Sequence, residues 1–117
     1  MKTILLVGAV VLSCGVILPG CGSPSPAELV KAGISEFQLG RPDTAKEMLQ
    51  RALAQEPSHP AALFYTARIH HAQKSYVQAI YYYQCCLDAD PANLEAANYL
   101  RQAQQEAGSA GGAPGGA

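Results

Sequence analysis

The sequence predicts an all-α chain in which two helix-turn-helix hairpins and one closing helix stack as a solenoid. Three observations predict it. Between Ser25 and Ala107 apolar residues recur at helical spacing rather than alternating. Pro26, Gly40, Pro42, Pro57, Pro60 and Pro91 cut that stretch into pieces of helix length. The stretch also resembles itself when shifted by 34 residues, pairing Pro26 with Pro60, Ala27 with Ala61, Leu29 with Leu63 and Ala45 with Ala79. The same shift pairs Gln50 with Gln84, Leu53 with Leu87 and Pro57 with Pro91. A fixed period of this kind marks stacked copies of one supersecondary unit.

The elements follow in chain order. Met1-Lys2 gives a positive start, and Thr3 to Leu18 is a nearly unbroken apolar run. This is the layout of a secretory signal, and Pro19-Gly20 breaks it short of the ~20 apolar residues a membrane-spanning helix needs. Leu18-Pro19-Gly20-Cys21 resembles the lipobox of bacterial lipoproteins, in which a small residue precedes the cysteine that becomes the new N-terminus. Pro19 departs from that pattern. The resemblance implies a signal peptide over 1–20 and a diacylglyceryl thioether on Cys21, with a tether over 21–25. Val11-Leu12-Ser13-Cys14 leaves too short an apolar stub to compete. The acyl chains would hold the protein on a membrane, each buried methylene adding ~0.8 kcal/mol. Gly22, where an Asp would retain a lipoprotein on the inner membrane, implies the outer membrane of a Gram-negative cell, facing the periplasm.

Ser25-Pro26-Ala27-Glu28 reads as a capping box with proline at the first helical position. Leu29, Ala32, Gly33, Phe37 and Leu39 continue that helix until Gly40 stops it. Pro42 opens the second helix, whose stripe is Ala45, Met48, Leu49, Ala52 and Leu53, ended by Pro57. Pro60 opens the third, carrying Leu63, Phe64, Ala67 and Ile69. Tyr76 to Ala89 is its partner, closed by Pro91, and Asn93 caps a fifth helix from Leu94 to about Ala107. The remainder, 108–117, is nearly all Gly, Ala and Pro, a composition too poor in large side chains to offset its ordering entropy, so it reads as a disordered tail.

These residues resemble the tetratricopeptide repeat family. Small residues stand where the two helices of a hairpin touch: Gly33 and Ala67 in the first helices, and Ala45, Ala52, Ala79 and Cys86 in the second. Leu29, Leu49, Leu63 and Tyr83 fill the space between, and Pro57 and Pro91 match the family's helix-ending proline. Glu36 and His70 depart from its usual tyrosine, and Pro42 from its usual aromatic. The resemblance implies repeats over 26–59 and 60–93 and a capping helix over 94–107, wound as a right-handed α-solenoid. It further implies a concave face lined by the first helix of each repeat. Carried over by position, that face holds Val30, Ile34, Phe37, Phe64, Tyr65, Arg68, His71, Asn98, Tyr99 and Gln102. A surface so aromatic suits an amphipathic helix or an extended apolar segment of a protein partner. The cation and amide positions with which some members clamp a C-terminal carboxylate are held here by Val30, Ile34, Tyr65, Glu95 and Tyr99, so no such clamp is expected.

Other chemistry has less support. Net charge is −1, and no basic stripe could neutralise a phosphate backbone, so nucleic acid is not an expected partner. His70-His71 and Cys85-Cys86 suggest a metal, but neighbours on a helix point ~100° apart, so neither pair chelates from one side. No metal and no cofactor is expected. Cys85 reads as the less buried thiol, open to intermolecular pairing in an oxidising compartment. Tyr83 is core by register, which sends Tyr81 or Tyr82 to the surface. The sequence contains no nucleophile elbow, phosphate loop or HExxH run. The expected function is therefore non-enzymatic: a lipid-tethered periplasmic scaffold or adaptor. Alternatives are a pilotin-like lipoprotein of pilus or secretin assembly, and an envelope subunit that self-associates as a homo-oligomer.

Overall fold

A computed structural model describes residues 22–110. Cys21, the apolar run before it and residues 111–117 lie outside the described residues. Five helices follow in order: α1 Pro26–Gln38, α2 Pro42–Gln55, α3 Pro60–Ala72, α4 Tyr76–Ala89 and α5 Leu94–Ala110. Among the described residues there is no strand, and no helix is long and apolar enough to cross a membrane. The fold is the expected all-α helical-repeat solenoid.

Helix starts are fixed by local chemistry. Ser25 Oγ accepts from the Glu28 N–H at 3.3 Å, and the Ser25 N–H donates to the Glu28 carboxylate at 3.2 Å, which completes the capping box. His59 Nδ1 accepts from the Ala62 N–H at 3.3 Å ahead of α3, and Asn93 Oδ1 accepts from the Ala96 N–H at 2.9 Å ahead of α5. Each satisfies a backbone donor that the first helical turn leaves orphaned. Two turns 34 residues apart use the same left-handed residue, Gly40 at φ +80° and Lys74 at φ +62°. Glycine adopts that conformation freely, whereas a lysine there costs about 1 kcal/mol.

Two cores result. The first joins α1, α2 and α3 through Leu29, Val30, Ala45, Leu49, Ala52, Ala62 and Ile69. The second joins α3, α4 and α5 through Leu63, Phe64, Ala67, Ala79, Tyr83, Cys86, Ala96 and Ala103. The small residues expected at the helix contacts are all buried, Gly33 included. At Gly33 the fit leaves no spare volume: a Cβ there would stand 2.9 Å from Leu49 Cγ. Three details depart from the expectation. Ala32 is exposed, and Leu39 is 63% exposed because it lies beyond the last helical residue, at the C-cap. The fifth helix runs to Ala110 instead of ending at Ala107, since one glycine at 108 costs only about 1 kcal/mol against alanine.

Candidate functional site: an aromatic hollow around Arg68

α3 is packed on both sides, by α1 and α2 and by α4 and α5, so only a narrow strip of it faces outward. Arg68 stands on that strip. Its guanidinium carbon lies 4.5 Å from the ring centroid of Tyr99 and 5.7, 5.8 and 6.0 Å from those of Phe37, Phe64 and Tyr65. Each ring contributes a negative π face, an attraction worth about 0.5–2 kcal/mol per good contact depending on desolvation. The rings also hold one another. Phe64 meets Tyr65 edge-on at 5.2 Å and Tyr99 at 5.7 Å, and Phe37 meets Tyr65 at 6.5 Å.

Next to the cage runs a polar chain. His71 Nδ1 lies 3.2 Å from the Tyr83 hydroxyl, and His71 Nε2 lies 2.5 Å from Glu106 Oε1. One neutral tautomer satisfies all three groups: Nε2–H donates to Glu106 while Nδ1 accepts from the Tyr83 O–H. The hydrogen bond from His71, helped by Lys74, holds the Glu106 carboxyl below its ordinary range. Burial pushes the Tyr83 phenol far above its ordinary range, despite the favourable nearby charge of Arg68. Tyr83 therefore stays a neutral donor. Of these groups, Phe37, Arg68, Tyr99, His71 and Glu106 bound a hollow of about 330 Å³ that opens between α1, α3, α5 and the start of α4.

Of the residues expected on the concave face, Phe37, Arg68, His71, Tyr99 and Gln102 line this hollow, and Tyr65 braces it through Phe37 and Phe64. Val30 and Phe64 present almost no surface, each only 5% exposed, so the expectation that they line an open groove is corrected. They sit one residue after Leu29 and Leu63 on helices packed from two sides, and belong to the cores. Ile34 packs half-buried against the first core. Asn98 is exposed but points along its own helix, accepting from Arg101 at 2.7 Å. Sequence reasoning missed Lys74, Tyr76 and Glu106, which also line the hollow. A signal existed for Glu106: Tyr99, Gln102 and Glu106 fall at i, i+3 and i+7, one face of a helix.

The remaining candidates are placed as follows. His70 stacks flat on Tyr82, with centroids 5.5 Å apart, and its pKa is lowered by burial and then by Lys46. Cys86 is buried, donates to the Pro60 carbonyl at 3.5 Å, and has its thiol pKa raised by burial and then by Asp90. Cys85 is half-buried, and with Tyr81 and Tyr82 it lines a second hollow of about 430 Å³ against the α2–α3 turn. Tyr81 is 59% exposed. Among the described residues no three His, Cys, Asp or Glu side chains come together as metal ligands would.

The comparisons with known proteins agree with this architecture. Residues 30–93, more than half of the chain, match the family described as Tetratricopeptide repeat. A stretch of 77 residues is 38% identical to the protein adenylyltransferase Fic of Aedes aegypti, covering 64% of this chain and 15% of that protein. Among solved structures, the first TPR of Spaghetti (RPAP3), bound to the HSP90 peptide SRMEEVD, superposes with a TM-score of 0.68 at 24% identity, over 70% of this chain and 65% of that one. The solution structure of the first TPR domain of the human RPAP3 protein has a TM-score of 0.44 at 19% identity, over 72% and 93%. The chain thus spans only a small part of the curated relative and just under two thirds of the better-matching solved domain. Helix order, the buried small residues at hairpin contacts and the matched span converge on one conclusion: the chain belongs to the tetratricopeptide repeat family.

Proposed function

We propose that this protein is a non-enzymatic interaction module, a membrane-tethered adaptor that holds a segment of another protein against the aromatic hollow. The observation that carries the reading is the cage itself. Phe37 and Tyr65 are half-buried rings set edge-on to each other, Tyr99 is a half-buried ring set edge-on to Phe64, and all three surround Arg68. Rigid aromatic anchors of this kind contribute contact area at little entropic cost, which is how binding hot spots are built. The solved Spaghetti domain, a relative in fold, holds a peptide, and that supports the same use here. Its ligand carries over no further.

The tether rests on the Leu18-to-Cys21 motif. A thioether lipid on Cys21 would keep the module at the periplasmic face of the outer membrane. Cys21→Ser should release the protein to the soluble fraction or stall its maturation. Unchanged fractionation would remove the anchor from the reading.

The binding reading is tested by affinity capture of the full chain from its native membranes. Wild type is compared with Phe37→Ala combined with Tyr65→Ala, and with Gln50→Ala as a control on an exposed residue of α2 outside the hollow. Partners should vanish from the double variant and persist in the control. Equal recovery from all three would overturn the assignment of the hollow.

A second reading, self-association, is favoured by the outer face of α4. Val77 is 78% exposed and Tyr81 59%, and Asp88 is the only charged residue in the helix. Light scattering coupled to size exclusion decides this: a mass that stays monomeric at every concentration discards it.

A further inference from the structure

Arg68 is half-buried in the hollow, yet among the described residues no carboxylate lies within ion-pair distance of it. A desolvated charge is costly unless it is compensated. The four rings compensate part of that cost through their π faces, but they supply no carboxylate. The N–H donors of Arg68 radiate in the guanidinium plane and remain available to an acceptor. Glu106, which lines the same hollow, is already committed: His71 hydrogen-bonds to it, and Lys74 lies close enough to help hold its carboxyl down.

Lys74 also lines the hollow. In the first repeat the equivalent turn position is Gly40, which takes the left-handed conformation freely. In the second repeat a lysine is held at φ +62°, on the rim of the hollow, at a backbone cost of about 1 kcal/mol. It adds a second cation to the lining that holds Arg68.

We propose that the hollow is specific for an acidic side chain flanked by apolar ones. The Asp or Glu carboxylate of the partner segment pairs with the in-plane N–H groups of Arg68, and the apolar neighbours lie on Phe37, Tyr76 and Tyr99. This deepens the binding reading above and rests on it. It differs from capture of a chain terminus, because the positions that clamp a terminal carboxylate are here Val30, Ile34, Tyr65, Glu95 and Tyr99.

The test is selection of random twelve-residue peptides on the full chain. The peptides are displayed with their C-termini fused, so that side-chain carboxylates are the only ones offered. Wild-type protein should select peptides enriched in Asp or Glu beside Leu, Ile, Phe or Met. Arg68→Met, which keeps a long apolar side chain against the rings, should select apolar peptides without acidic enrichment. Against one selected peptide and its Glu→Gln counterpart, wild type should prefer the acid by roughly 10- to 100-fold, the range for a hydrogen bond to a charged group, and Arg68→Met should show no preference. Circular dichroism confirms that the variant retains its helices. Acidic enrichment that is absent from wild type, or unchanged in Arg68→Met, overturns the assignment of Arg68 while leaving the hollow a binding site. Failure of wild type to select any peptide overturns both.

Discussion

Replacing Gly33 by alanine tests the hairpin geometry directly, because two opposing effects decide its sign. Alanine in a helix interior is favoured over glycine by about 0.8–1 kcal/mol. Against that, the new methyl would stand 2.9 Å from Leu49 Cγ, 3.0 Å from Leu49 Cδ2 and 3.3 Å from the Ala45 carbonyl oxygen. Leu49 is fully buried, and Cγ is the branch point of its side chain, so it cannot swing aside. Overpacking of this kind costs about 1–3 kcal/mol. The clash therefore wins, and Gly33→Ala should destabilise by about 1 kcal/mol. Leu49→Ala alone leaves a cavity and should cost about 2–5 kcal/mol. Combining the two removes the clashing atoms and lets the new methyl occupy part of the void. In the Leu49→Ala background, Gly33→Ala should then stabilise. The assay is urea unfolding of the four proteins of the cycle, followed by circular dichroism, with an osmolyte added if the weaker variants need support. A coupling of about 1–3 kcal/mol is expected. If Gly33→Ala stabilises the wild type, or the two changes add to within about 0.5 kcal/mol, then α1 and α2 do not nest as described.

Three further outcomes follow from the caps and the polar groups. Ser25→Ala should cost about 1 kcal/mol through loss of the N-cap. It should also return the Glu28 carboxyl, now lowered mainly by its hydrogen bonds to Ser25, toward its ordinary value in an NMR titration. Because the folded-state pKa of Glu28 is depressed, its contribution is present above the unfolded carboxylate range and is lost as pH falls through the folded value. Glu106 follows the same sign, with His71 as the main cause, so His71→Phe should raise its titration midpoint; no change would mean that α5 is not held to α3 through this pair. Cys86, buried and with its thiol pKa raised, should resist iodoacetamide at pH 8 in the folded protein and react once urea unfolds it, as peptide-resolved mass spectrometry would show.

Much of the fold was legible because its punctuation is local. Pro26, Pro42 and Pro60 open helices for reasons that need no tertiary information, and Ser25 and Asn93 supply side-chain acceptors within three residues. The alanine-sized contacts were legible because helix axes 8–10 Å apart tolerate little else. The site was less so. Periodicity gives the face a residue occupies, not what covers that face. Val30 and Phe64 share a stripe with half-buried neighbours, and only the packing of α1 on α3 and of α3 on α4 and α5 decides that they are interior. Lys74 and Tyr76 line the hollow from the α3–α4 turn and the start of α4, where the chain passes through one left-handed residue that periodicity does not reveal. Glu106 of α5 meets His71 of α3, a relation between residues 35 apart that no local pattern encodes.

The short lead-in ahead of α1 does not hang from that helix alone. Gln55 Nε2, at the last turn of α2, donates to the Pro24 carbonyl at 3.0 Å. A pull on residue 22 is thus divided between both helices of the first hairpin. Mechanically, the bond makes the lead-in a short stalk braced at two points.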